Sequence, residues 1–187
     1  TWGGEEKSVT EQRKIIVPVQ TLGKSVEKPF PGVLEWTVNY YPPYHMEQGV
    51  YLQDTLGAGM DLRRNPNGEL VLTAPSMAVY RAKLAPDGSL ERDGEALNLE
   101  DPDSEVKVTA TAPDAGGPTV LKFEMTDPNR FYQFVYQTEV DNTQATAGQT
   151  MGNEVKLVGD DRLASVSAKS ETTLDSSDVA ASSGSNA

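Results

Sequence analysis

The sequence predicts an all-β sandwich of two antiparallel sheets with little helix. Three observations carry that expectation. Apolar residues recur with period two, turn dipeptides separate the runs at short intervals, and no stretch sustains a helical period. The 187 residues fit one domain with looser ends. Composition divides the chain into a flexible segment over 1–12, a sandwich over 13–168 and a Ser/Ala-rich linker or tail over 169–187.

In chain order, the first β run is Ile15–Val19, rich in β-branched residues. Leu22, Lys24 and Val26 follow at spacing two and share a face. Leu34, Trp36 and Val38 do the same, with Glu35 and Thr37 turned away. Val50–Gln53 is a short run, and Gly59–Arg64 is where at most a turn or two of helix fits. Leu70–Thr73 and Ala78–Ala82 read as short strands, and Val106, Val108 and Ala110 as a weaker one. The clearest alternation is Thr119–Met125, where Leu121, Phe123 and Met125 oppose Lys122 and Glu124. Tyr132, Phe134, Tyr136, Thr138 and Val140 then share a face opposite Gln133, Gln137 and Glu139. Glu154–Val158 and Leu163–Ala168 complete the set. Asn67-Gly68, Asp87-Gly88 and Asp93-Gly94 mark tight turns, because glycine adopts positive φ without steric cost. Asp101-Pro102, Ala112-Pro113, Gly117-Pro118 and Asp127-Pro128 break the chain again. Beyond Ser165 the Ser, Ala, Thr and Asp content reads as a segment that buries too little to offset its ordering entropy.

Charge and composition exclude several functions. There are 28 acidic and 16 basic residues, a formal charge of −12. A phosphate-binding face needs clustered Lys and Arg, so nucleic acid is not an expected partner. The same charge opposes anionic membrane surfaces, and no apolar run approaches the roughly 18–20 residues of a spanning helix, so direct membrane insertion is not expected. The absence of cysteine removes disulfides, thiolate nucleophiles and zinc–thiolate sites. The single histidine, His45, reads as an exposed loop residue without partners for a triad or a His-based metal site. An enzyme is not expected, and neither is a metal or organic cofactor. Asp101-Pro102-Asp103-Ser104-Glu105 and Asp160-Asp161 offer oxygen ligands for Ca²⁺ but lack a binding-loop spacing, and read as solvated charge. Tyr40, Tyr41 and Tyr44 around Pro42-Pro43 read as an aromatic loop packed on the sandwich edge, with a ligand-contact patch as the alternative.

Three segments taken together narrow the function. Val33-Leu34-Glu35-Trp36-Thr37-Val38-Asn39-Tyr40 is a strand with Trp on its apolar face and Asn near its end. Val50–Leu62 contains Asp54-Thr55-Leu56-Gly57-Ala58-Gly59. Phe134–Val140 carries Tyr136-Gln137-Thr138 and is followed by Gly152-Asn153-Glu154-Val155. In this order, over roughly Gly23 to Ala168, the chain resembles the collagen-binding-type domain of Gram-positive cell-wall-anchored adhesins and pilus subunits. The resemblance implies a variant immunoglobulin-like sandwich. It also implies an intramolecular isopeptide bond between an early Lys and a late Asn, catalysed by an Asp or Glu. Carried over by position, the acid is Asp54, the amide is Asn153 and the amine is Lys24, with Lys28 as the alternative.

The residues agree with that mapping without requiring it. Val50, Leu52 and Asp54 are spaced by two, as are Asn153, Val155 and Leu157, so inward apolar faces would carry the polar groups inward. Buried singly they would be costly, so such residues should meet. Read alone, Asp54 could also open a turn, Lys24 stand on an exposed strand face and Asn153 follow Gly152 in a turn. The expected function is a secreted, cell-wall-attached adhesin domain on a bacterial surface, binding a host matrix or plasma protein and adjoining neighbouring domains of the same protein. The alternative is a stalk or pilin spacer without a ligand.

Overall fold

The computed structural model describes residues 20–57, 59–111, 118–141, 143, 145–163 and 166–185. The run Ile15–Val19 and the segment 1–12 lie outside the described residues. Among the described residues eleven strands follow in order: β1 Leu22–Phe30, β2 Val33–Tyr40, β3 Tyr51–Leu56, β4 Met60–Leu62, β5 Met77–Leu84, β6 Leu90–Arg92, β7 Val106–Thr111, β8 Val120–Met125, β9 Phe131–Val140, β10 Thr150–Val158 and β11 Ser167–Thr173. One α-helix, α1, spans Ser176–Ser185. Sheet one has the order β1-β2-β9-β5-β6, with β4 also paired to β9; sheet two has the order β11-β10-β3-β8-β7. Every pairing between these strands is antiparallel. The expected all-β sandwich is the fold.

Alternation sets which residues fill the space between the sheets. Trp36, Tyr132, Phe134 and Tyr136 from sheet one are fully buried, as are Leu52, Leu121 and Phe123 from sheet two. Phe123 joins the layers: its ring centroid lies 4.9 Å from that of Phe134 and 5.5 Å from that of Tyr136. The polar tips of Trp36 and Tyr40 in this core find partners, as burial demands. Trp36 Nε1 donates to Thr138 Oγ1 at 2.9 Å, and the Tyr40 hydroxyl donates to the Pro128 carbonyl at 2.6 Å.

Five elements depart from the sequence expectation, the first being β6, a short strand between the Asp87-Gly88 and Asp93-Gly94 turns where the sequence predicts none. Gly59–Arg64 holds β4 rather than a helical turn, because Met60 and Leu62 face the core and pair along β9. Leu70–Thr73 is not a strand; Leu70 makes one isolated bridge to Arg64 across the Asn67-Gly68 turn. The last strand is Ser167–Thr173, while Leu163 ends a single 3-10 turn that starts at Asp161. The stretch expected as a linker over 169–187 instead contains most of β11 and all of α1. Leu174, between them, is buried, so this segment has an apolar anchor that its average composition hides.

Candidate functional site

β1 carries Leu22 and Lys24 toward the interior, where Leu22 is buried and the Lys24 side chain is wholly excluded from solvent. The exposed part of Lys24 is therefore backbone. Across the gap, Asp54 sits in the middle of sheet two, paired with Leu121 on β8 and Val155 on β10, both fully buried. Asn153, two residues before Val155, pairs with Leu56 and faces the same side. Asp54 and Asn153 are themselves buried. Gly57 lets the end of β3 approach β10 closely: a Cβ there would lie 2.9 Å from the Gly152 carbonyl oxygen.

The polar side chains meet inside this apolar shell. Lys24 Nζ lies 2.5 Å from Asp54 Oδ2 and donates to the Tyr136 hydroxyl at 2.8 Å. Tyr136 in turn donates to the same Asp54 oxygen. The Lys24 nitrogen also stands 5.2 Å from the Trp36 ring and 5.3 Å from the Tyr136 ring. Asp54 Oδ1 and both polar atoms of the Asn153 side chain are buried with no hydrogen-bond partner among the described residues. The Asn153 amide is near enough to act weakly on the titration of Asp54 and Tyr136, but it does not reach hydrogen-bonding geometry.

Burial decides the protonation of the pair. Desolvation pushes Lys24 down, against the attraction of Asp54 and, less strongly, of Glu154. Desolvation likewise pushes Asp54 up, against its contacts with Lys24, Tyr136 and Asn153. Both shifts favour a neutral amine beside a protonated acid. Desolvation also holds the Tyr136 hydroxyl well above its ordinary range, so it stays protonated.

Of the candidate residues, Lys24, Asp54 and Asn153 occupy this interior site and Lys28 does not. Lys28 is partly exposed near the end of β1 and donates to the Thr173 carbonyl at 3.0 Å and to Asp178 at 3.1 Å. Tyr136 is the site residue that sequence reasoning left without a role. Its signal was the Tyr-x-Thr strand, where a hydroxyl replaces the ring edge of a plain core Phe. The acidic loops are engaged elsewhere: Glu105 pairs with Arg81, Arg130 and Tyr132, and Asp160 with Arg162. Among the described residues no group of three His, Asp or Glu side chains converges to hold a metal.

No family model matches the sequence and no curated protein matches it. Solved structures do resemble it. The collagen-binding subdomain of the Enterococcus faecalis surface protein ACE is 11% identical, with 81% of this chain and 97% of that chain covered and a TM-score of 0.51. The collagen-binding domain from a Staphylococcus aureus adhesin is 12% identical, covers 82% of this chain and 97% of that chain, and has a TM-score of 0.50. A longer structure of the Enterococcus faecalis protein ACE gives 12% identity, 82% and 49% coverage and a TM-score of 0.50. At these identities the likeness is one of fold, and in fold the chain is an immunoglobulin-like sandwich of the type found in the collagen-binding domains of bacterial surface adhesins.

Proposed function

We propose that this chain is a secreted, cell-wall-attached domain of the adhesin and pilin class, locked by an amide between the side chains of Lys24 and Asn153. The supporting observation is the burial of three otherwise costly polar groups, Lys24, Asp54 and Asn153, from three strands of two sheets in one apolar interior. A neutral amine is a nucleophile, and a protonated Asp54 can polarise the carboxamide and relay a proton. Folding holds the reactants together and supplies a large effective molarity. The reaction is a single turnover on the chain itself, so the domain is no enzyme, and it calls for no metal or cofactor.

Intact mass is the test. The chain should weigh one ammonia less than its sequence, and Lys24→Ala, Asp54→Ala and Asn153→Ala should each restore the full mass. Lys28→Ala should keep the deficit. A wild-type chain of full sequence mass would rule the amide out.

Adhesion to a host matrix or plasma protein is the proposed use of this scaffold, and a spacer without a ligand is the second reading. One observation favours the spacer. Tyr40 and Tyr41 are buried, and the Arg162 guanidinium lies over the Tyr44 ring, 4.2 Å from its centroid, so in the Tyr40–His45 loop only Tyr44 keeps exposed aromatic surface and that is partly covered. Among the described residues, the exposed large apolar side chains Phe30, Tyr44 and Leu84 stand on separate segments. Saturable binding to immobilised collagen, fibrinogen or fibronectin supports adhesion; no saturable binding across that panel supports the spacer.

A further inference from the structure

The Lys24 amine has two acceptors, and only one of them, Asp54, has a role in the proposed amide formation; the other is Tyr136. Lys24 Nζ donates to Asp54 Oδ2 and to the Tyr136 hydroxyl, and that hydroxyl donates to Asp54 Oδ2. The three groups close a triangle. Tyr136 comes from β9, is fully buried, and has its ring braced by Phe123. On the basis of the cross-linking proposed above, we infer that Tyr136 is a positioning residue for that reaction: its hydroxyl aims the Lys24 lone pair and selects the Asp54 oxygen that carries the proton.

A neutral amine has two N–H bonds and one lone pair. Tyr136 and Asp54 accept both N–H bonds, so the lone pair takes the remaining tetrahedral direction. Asp54 Oδ2 already accepts from Lys24 and Tyr136, which leaves the acid proton to Oδ1. Oδ1 is buried and unpartnered, as are both polar atoms of Asn153. A proton on Oδ1, donated to the Asn153 carbonyl, satisfies one group on each residue.

The step then balances. The Nζ lone pair forms a bond to Asn153 Cγ, and the carbonyl electron pair moves to Oδ1 of Asn153, protonated by Asp54. Nζ passes one proton to the Asp54 carboxylate through Oδ2. As the carbonyl re-forms, its proton returns to Asp54, the Cγ–Nδ2 bond breaks and Nδ2 takes up one proton from Asp54. Ammonia leaves, an amide remains and Asp54 is again protonated. Without the Tyr136 hydroxyl the amine is free to rotate and the acid proton can occupy either oxygen.

The test follows intact mass with time, from the first minutes after cell-free synthesis, for the full chain and for Tyr136→Phe and Phe123→Leu across a pH series. Wild type should lose one ammonia. Tyr136→Phe should lose it at least ten-fold more slowly. The alkaline limb of its rate profile should move to higher pH, because a donor that stabilises the Asp54 carboxylate is gone. Lys24, Asp54 and Glu154 are the charged groups that act within this site, and none is altered. Phe123→Leu loosens the same packing with the hydroxyl in place and should keep the wild-type profile. A wild-type rate and profile in Tyr136→Phe overturns the inference while leaving the cross-link intact. So does a slowing without a shift that Phe123→Leu reproduces, and so does a Tyr136→Phe chain that fails to fold. A wild-type chain that keeps its full mass overturns the cross-link itself, and this inference with it.

Discussion

At the scale of single residues, the Lys24–Asp54 pair has a property that its removal exposes. Neutral amine plus protonated acid holds the same number of protons as ammonium plus carboxylate. An uncross-linked but intact pair, as in Asn153→Ala, therefore adds almost no pH dependence to stability between about pH 5 and pH 9. Lys24→Met breaks that equality. Asp54 loses the attraction that lowers its pKa and keeps the desolvation that raises it above the ordinary 3.8. The folded state then holds a proton that the unfolded state has lost. Stability is intact below 3.8 and falls as pH rises toward the folded-state pKa. Urea melts of Lys24→Met against Lys24→Met/Asp54→Leu, in which the other titrations cancel, should show a deficit of about 1–3 kcal/mol at neutral pH that closes in acid. A pH-independent difference would contradict a buried, raised Asp54. Lys24 was reached through the resemblance, by its position ahead of Trp36, and its spacing of two from Leu22 and Val26 only agreed with an inward face. Tyr136 was not legible, since Tyr and Phe look alike on an inward face until the residue opposite is known.

At the scale of elements, the C-terminal segment is held by a reciprocal cap. Asp175 accepts from the Asp178 backbone N–H at 3.0 Å, and Asp178 accepts from the Asp175 N–H at 2.9 Å, a D-x-x-D version of the capping box. The Asp178 carboxylate also accepts from the Gly32 N–H at 3.2 Å and from Lys28 at 3.1 Å. One buried side chain thus ties α1 to the turn between β1 and β2, where Gly32 has a φ of 84° behind Pro31. Asp178→Ala strands the Gly32 donor and uncaps the helix. It should cost about 1–3 kcal/mol and speed amide exchange in α1 and at Gly32, with β3 and β8 unaffected. Hydrogen bonds to Ser177 and to the Asp178 backbone hold Asp175 down to about 2, from an ordinary 3.8. Its contribution is present above 3.8 and fades as pH falls toward 2, so α1 should fray over that window, read by amide exchange. This clasp was written in the sequence as Asp175-Ser176-Ser177-Asp178. It went unread because the helix has almost no apolar period and its anchors, Leu174 and Gly32, lie outside it. β4 was missed for a related reason: three residues cannot display a period, and the long β9 supplies the pairing.

At the scale of the whole molecule, two sheets with edges at β1 and β11 share one core. Lys24 stands in sheet one, and Asp54 and Asn153 stand in sheet two. Rings such as Phe123 hold the layers by contact alone, and contact yields when the layers slide. The proposed Lys24–Asn153 amide would join them covalently and close a loop of roughly 130 residues. Treated like a disulfide of that span, the link contributes about 5 kcal/mol through the unfolded state. In a domain of this size each kcal/mol moves the melting temperature by about 2–4 °C, so Asn153→Ala should melt about 10–20 °C lower. That variant also leaves Lys24 and Asp54 paired, so the loss reads the link rather than an orphaned charge. Lys28→Met removes a partly exposed ion pair instead and should shift the melt far less. A sharper comparison comes from pulling between an attachment point before Leu22 and one after Val158. In the linked chain the segment from Lys24 to Asn153 cannot lengthen, so the extension on rupture should fall short of the full contour by nearly all of those residues. Asn153→Ala should release the whole length. Equal extensions in the two chains would mean that no covalent link joins the sheets.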